Sequence, residues 1–174
     1  MSTDENEMTL PERPSSKAGL MALIERYWAD LNGEIGALSE AAMVAPGPGG
    51  GWSIKDHMAH LTIWERVSLA RIEQQPEHGI FGMDEAAFAD ANNLDELNAR
   101  AHERERGKPL ADVLAAFAAT HQELVSALER LSDDELARPV FPDNLEFGAL
   151  FGNAVGDTYE HYIEHLTWIR AARA

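Results

Sequence analysis

The chain has 174 residues, 45% of them apolar, which is enough for one sizeable core and short for two, so a single domain is expected. With 30 acidic against 14 basic residues the formal net charge is -16, which repels phosphate backbones and anionic headgroups at long range and argues for no nucleic acid and no membrane among its partners. No apolar run approaches the roughly eighteen residues of a membrane span, no basic start precedes an apolar run, and there is no cysteine; a cytoplasmic protein without disulfides is expected, and any metal must take nitrogen or oxygen donors.

Residues 1–14, MSTDENEMTLPERP, are polar, proline-punctuated and aperiodic, and read as a mobile N-terminal tail ahead of a domain over 15–174. Leu20, Leu23, Ile24, Tyr27, Leu31, Ile35 and Leu38 then recur at helical steps and predict a first long helix to about residue 39. APGPGGGW, residues 45–52, breaks it, because proline and clustered glycine are unfavourable inside a helix. Ser53 is the expected N-cap of a second helix, with Asp56 three residues on, facing the unpaired amides of its first turn. His57, His60, Leu61, Trp64, Val67 and Ser68 share one side of that helix, which fades near Gln74 or Gln75.

A long connector follows, with two short helices expected; connectors of this length often shape a site. The third long helix opens at Pro109 and keeps its period to about residue 130, and SDDE at 132–135 is a capping-box pattern for one extra turn that Pro139 stops. The fourth runs from roughly Leu145 to Arg170. No convincing strand pattern intervenes, so the fold class is all-α, a four-helix bundle.

Within the fourth helix, His161 and His165 stand four residues apart, roughly 40° around the helix. His60 lies on the strip of the second helix that carries Trp64, so three imidazoles can meet between two facing helices. Three neutral imidazoles suit zinc, nickel or another divalent ion, and leave positions open for water or substrate. The competing reading is packing, since a histidine on an apolar face is commonly a hydrogen-bonded core residue. That is the reading for His121, whereas His57, His78 and His102 are expected in solvent. Asp56, Asp157 and Glu164 lie near enough to the strips to orient a ligand by a hydrogen bond, Trp64 and Trp168 are candidates for a pocket wall, and Gly148, Gly152 and Gly156 read as packing positions.

The runs WSIKDHMAHLTIWE (52–65) and GDTYEHYIEHLTWIR (156–170) resemble the DinB-like metalloenzyme superfamily, and the connector and third helix, NLDELNARAHERERGKPLADVLAAFAATHQELVSALERLSDDELARP, are similar to its ClbS/DfsB branch. The resemblance covers residues 16–172. It implies a bundle with a long crossover between helices 2 and 3. It also implies a metal-ligand pattern of one histidine eight residues after the helix-two tryptophan plus an H-x-x-x-H pair on the last helix, here His60, His161 and His165. Relatives use a low-molecular-weight thiol such as mycothiol or bacillithiol in metal-dependent reactions, or open an electrophilic ring in a genotoxin. The implied activity is a metal-dependent thiol transferase or hydrolase acting on a small-molecule substrate that is electrophilic, with no assigned catalytic residue. A small-molecule binding protein without turnover and a bundle with non-catalytic histidines are the alternatives, and a homodimer stays open.

Overall fold

Residues 10–47, 51–91, 93–141 and 148–171 are described by the structure, a computed structural model. Residues 1–9 of the expected tail and the expected start of the last helix at Leu145 lie outside the described residues. Within the rest of the tail, Arg13 pairs its guanidinium with Glu160 through two contacts of 2.8 Å.

Ser16 Oγ accepts the Gly19 amide and starts α1 (Lys17–Gly36), whose Leu20, Ile24, Tyr27, Leu31 and Ile35 form the buried stripe that the periodicity predicts. The helix stops short of residue 39, because Ser39 caps a separate five-residue helix, α2 (Glu40–Val44), that periodicity alone does not announce. The next helix, α3 (Ile54–Glu73), opens on a complete capping box: Ser53 Oγ accepts the Asp56 amide while the Asp56 carboxylate accepts the Ser53 amide at 2.9 Å. It ends at Gln74, whose φ of 55° turns the chain out of the helix.

Buried residues occur on all sides of α3, which makes it the central helix of the bundle. Met58 and Leu61 join the main core with Phe117, Leu124, Leu128, Tyr159, Tyr162 and Leu166. Ile63, Trp64 and Val67 face a satellite core built by the connector, with Phe81, Met83 and Ala101. The connector holds a 3-10 turn (His78–Phe81), α4 (Glu85–Asp90) and α5 (Leu94–Glu105). It is fastened by Arg104 donating to the Gly79 and Ile80 carbonyls and by Lys55 Nζ donating to the Arg106 carbonyl at 2.7 Å.

Helix α6 (Leu110–Arg130) packs along α3, and the Ser132–Glu135 capping box starts α7 (Asp133–Leu136) as expected. One antiparallel bridge, Pro139 with Ala149, ties the following segment to the start of the last helical unit. That unit is not one regular helix. It consists of α8 (Leu150–Val155), a π-type segment (Gly156–Glu160) with a break at Thr158, and α9 (His161–Ala171). Thr158 Oγ1 donates back to the Ala154 carbonyl, a side-chain bond that competes with the helical ladder. The architecture is all-α, a four-helix bundle of α1, α3, α6 and the α8–α9 unit, with the long crossover between α3 and α6. No helix among the described residues is long and apolar enough to cross a membrane.

Candidate metal centre and its cavity

Helices α3 and α9 bring four imidazoles together. His60 Nε2 lies 3.0 Å from His161 Nε2, and His161 Nε2 lies 3.1 Å from His165 Nε2. Donor atoms of the three all fall within 4.8 Å of one another. Nitrogens held at about 2.0–2.1 Å by one tetrahedral ion stand roughly 3.3 Å apart, so the observed spacing is close to a coordinating one. A single ring nitrogen carries either one hydrogen or one lone pair, and His161 Nε2 faces two partners, so hydrogen bonding alone cannot satisfy both contacts. The donor set fits a divalent ion that accepts imidazole, with zinc or nickel as candidates.

Burial keeps these rings neutral, the form that can ligate. It lowers His60 to about 3, with His161, His57 and His102 adding repulsion, and lowers His161 to about 4, with His57 adding repulsion. It also pushes His165 well below its ordinary value, with repulsion from His161, His60 and His57.

The fourth imidazole corrects the sequence expectation. His57 is buried rather than solvated, and its Nδ1 lies 2.9 Å from His165 Nδ1. The tautomer in which His165 donates from Nδ1 leaves its Nε2 lone pair facing His161, which is the state a ligand requires. His57 thus takes the orienting position in which a carboxylate was expected. His102 is also not free in solvent: its ring stacks on Trp52 at 5.0 Å and sits 3.6 Å from Asp56. His78 is half-buried, with Nδ1 3.0 Å from the Met83 carbonyl. His121 is a core residue as expected, stacked on Trp28 and 3.1 Å from the fully buried Glu65, which also accepts from the Tyr162 hydroxyl.

None of the three candidate orienting carboxylates bonds to His60, His161 or His165 among the described residues. Asp56 is occupied by the capping box. Asp157 Oδ2 accepts from Ser68 Oγ at 2.8 Å and from Arg71 Nη1 at 3.0 Å. Glu164 is exposed at the cavity edge.

The histidine trio opens onto a cavity of about 680 Å³. Trp52, Trp64 and Trp168 wall it, and Asn98 of α5 accepts from Trp64 Nε1 at 3.1 Å. Leu94, Phe141 and Trp168, three of the large apolar side chains left exposed, also line it. Gly156 lines it too. Arg71 lines the cavity at a distance from any free role: it grips Glu77 at 3.0 and 3.1 Å and donates to Asn153 and Asp157. Sequence reasoning missed His57, Ser68 and Arg71. For His57 the i, i+3 spacing to His60 was a usable signal, whereas Arg71 carries none.

The model of the DinB superfamily matches residues 23–167. No curated protein matches the chain. Among solved structures, the chain is similar in fold to the colibactin self-resistance protein ClbS in complex with double-stranded DNA, at 20% identity and a TM-score of 0.70 over 92% of this chain and 96% of that one. It is also similar to an uncharacterised protein from Escherichia coli UTI89, at 17% identity and a TM-score of 0.67 over 90% and 92%. The ClbS complex overturns the exclusion of nucleic acid drawn from net charge. Net charge governs the field far from the surface; within a Debye length of about 8–10 Å the groups at the contact decide.

Proposed function

The chain belongs to the DinB superfamily, and from that premise and its histidine cluster we propose that it is a metal-dependent enzyme acting on a small electrophilic substrate, by transfer of a low-molecular-weight thiol or by hydrolysis. The observation that carries this reading is the convergence of the His60, His161 and His165 Nε2 atoms at the wall of a large, partly apolar cavity. His60, His161 and His165 would hold the ion. When bound, it would supply an open position at which a water or thiol becomes more acidic near neutral pH. His57 fixes the His165 ring, Trp52, Trp64 and Trp168 limit the approach of solvent, and Leu94 and Phe141 offer an apolar rim for the body of the substrate. Mycothiol and bacillithiol are the thiol classes to try first.

The test is elemental analysis of dialysed protein, followed by turnover of a panel of epoxides with and without zinc, nickel and added thiol. About one ion per chain and metal-dependent product formation are expected; protein that takes up no ion removes the basis of the reading.

A second reading is favoured by one observation, the complex of ClbS with double-stranded DNA: this chain also contacts duplex DNA. Anisotropy of a labelled duplex at low and physiological salt tests it, with binding that weakens as salt rises. An unchanged signal at low salt sets it aside.

A further inference from the structure

Asp157 sits in the π-type segment one turn before His161, and its carboxylate is held in an asymmetric way. Oδ2 takes both available donors, Ser68 Oγ and Arg71 Nη1, while Oδ1 has no hydrogen bond among the described residues. Arg71 is itself immobilised by the two-point grip of Glu77 and by Asn153, so the fork cannot swing away. The side chain is 15% exposed and lines the same cavity as His60, His161 and His165. A structural aspartate in a salt bridge needs no such open oxygen in the cavity that it shares with the three histidines.

We infer that Asp157 is the catalytic base of this site, its Oδ1 accepting the proton of the attacking water or thiol. The inference rests on the functional reading above and adds to it the residue that handles the proton. As the nucleophile loses its hydrogen to Oδ1, its electron pair forms the bond to the electrophilic carbon. The ring bond at that carbon breaks, with its electrons leaving on the ring heteroatom. Asp157 then returns the proton to that atom and regains its charge, so atoms and charge balance without an oxidant or reductant.

The groups around Asp157 place its ionisation in a useful range. Burial raises its pKa to about 6, Arg71 and the Ser68 hydrogen bond pull downward, and Glu77 pushes upward. Tyr162 and Glu164 belong to the following turns, and burial raises both, but the Tyr162 hydroxyl donates to Glu65 in the core and Glu164 is exposed, so neither is held in the cavity as Asp157 is. A base is most effective when its pKa is close to the working pH, and removal of such a base costs about 10²- to 10⁴-fold in rate.

The experiment uses zinc-loaded full-length protein with styrene oxide, once in water alone and once with 2-mercaptoethanol, separating diol from thioether by chromatography. Wild type is expected to show a rate that rises with pH and levels off, with a midpoint at or below about 6 because a nearby ion favours the ionised carboxylate. Asp157→Asn should lower kcat by about 10²-fold or more, lose that pH limb and keep its zinc content. Retention of both rate and limb overturns the assignment while leaving the functional reading intact. Loss of zinc from Asp157→Asn makes Asp157 a ligand-supporting group instead and also overturns it. Wild type that forms neither product sinks the functional reading and the base with it. Should Asp157→Asn fail to fold, Ser68→Ala decides: losing that donor must move the limb to higher pH, and an unmoved limb assigns the base elsewhere.

Discussion

His57 Nδ1 stands 2.9 Å from His165 Nδ1, so the ring that would ligate through Nε2 is steered at its other nitrogen by a second imidazole. A neutral donor–acceptor pair of this kind fixes the tautomer without adding a charge to the site. His57→Ala should therefore weaken zinc binding by about 10- to 100-fold while leaving one ion per chain at saturation. Competition with a chelator measures it, and unchanged affinity would make the contact incidental.

His161 Nε2 is the shared vertex of the trio, 3.0 Å from His60 and 3.1 Å from His165. His161→Ala should lose most of the bound metal but little stability, because the fold rests on the buried stripes. Leu124→Ala in the main core should cost about 2–5 kcal/mol. Melting of both metal-free variants compares the two. If His161→Ala melts as early as Leu124→Ala, the centre is structural.

Burial sets the acid response. Free imidazoles titrate at about 6.5, whereas His60 is lowered to about 3 and His161 and His57 to about 4. Below about pH 6.5 the unfolded chain binds more protons than the folded one, so stability present at neutral pH is lost steadily as pH falls toward the folded values. Metal affinity of the folded protein should stay nearly level from pH 8 to about 5 and drop below it. A steep fall centred at 6.5 in the chelator titration would show exposed imidazoles instead.

Glu65 is fully buried, and Tyr162 and His121 are its partners, while its Oε2 has none. Tyr162→Phe removes a donor and keeps the ring, so it should destabilise by about 1–3 kcal/mol in urea unfolding. Metal content should not change, because Tyr162 points into the core rather than toward the trio. A neutral effect on stability would mean that Glu65 finds another donor.

Much of the bundle was legible in the chain. Amphipathic period located α1, α3 and α6, because a helix that buries one face must repeat apolar residues at three and four. Ser53 with Asp56 and Ser132 with Glu135 announced helix starts, since the partners of a capping box lie three residues apart. The facing of His60 toward His161 and His165 followed from the same geometry. Only tertiary structure decided what touches those rings. His57 looked solvated because sequence shows its position on one helix but not the element that covers it; α9 does so with His165 and Trp168. The π-type segment was illegible for a related reason: Gly156 and Thr158 tolerate a regular turn, and the break at Thr158 is a state of the folded backbone that no local pattern specifies. Asp157, read as a neighbour of the histidines, was drawn instead to Ser68 and Arg71 nearly ninety residues away, because a buried carboxylate takes the strongest donors within reach, and reach is set by packing, not by chain position.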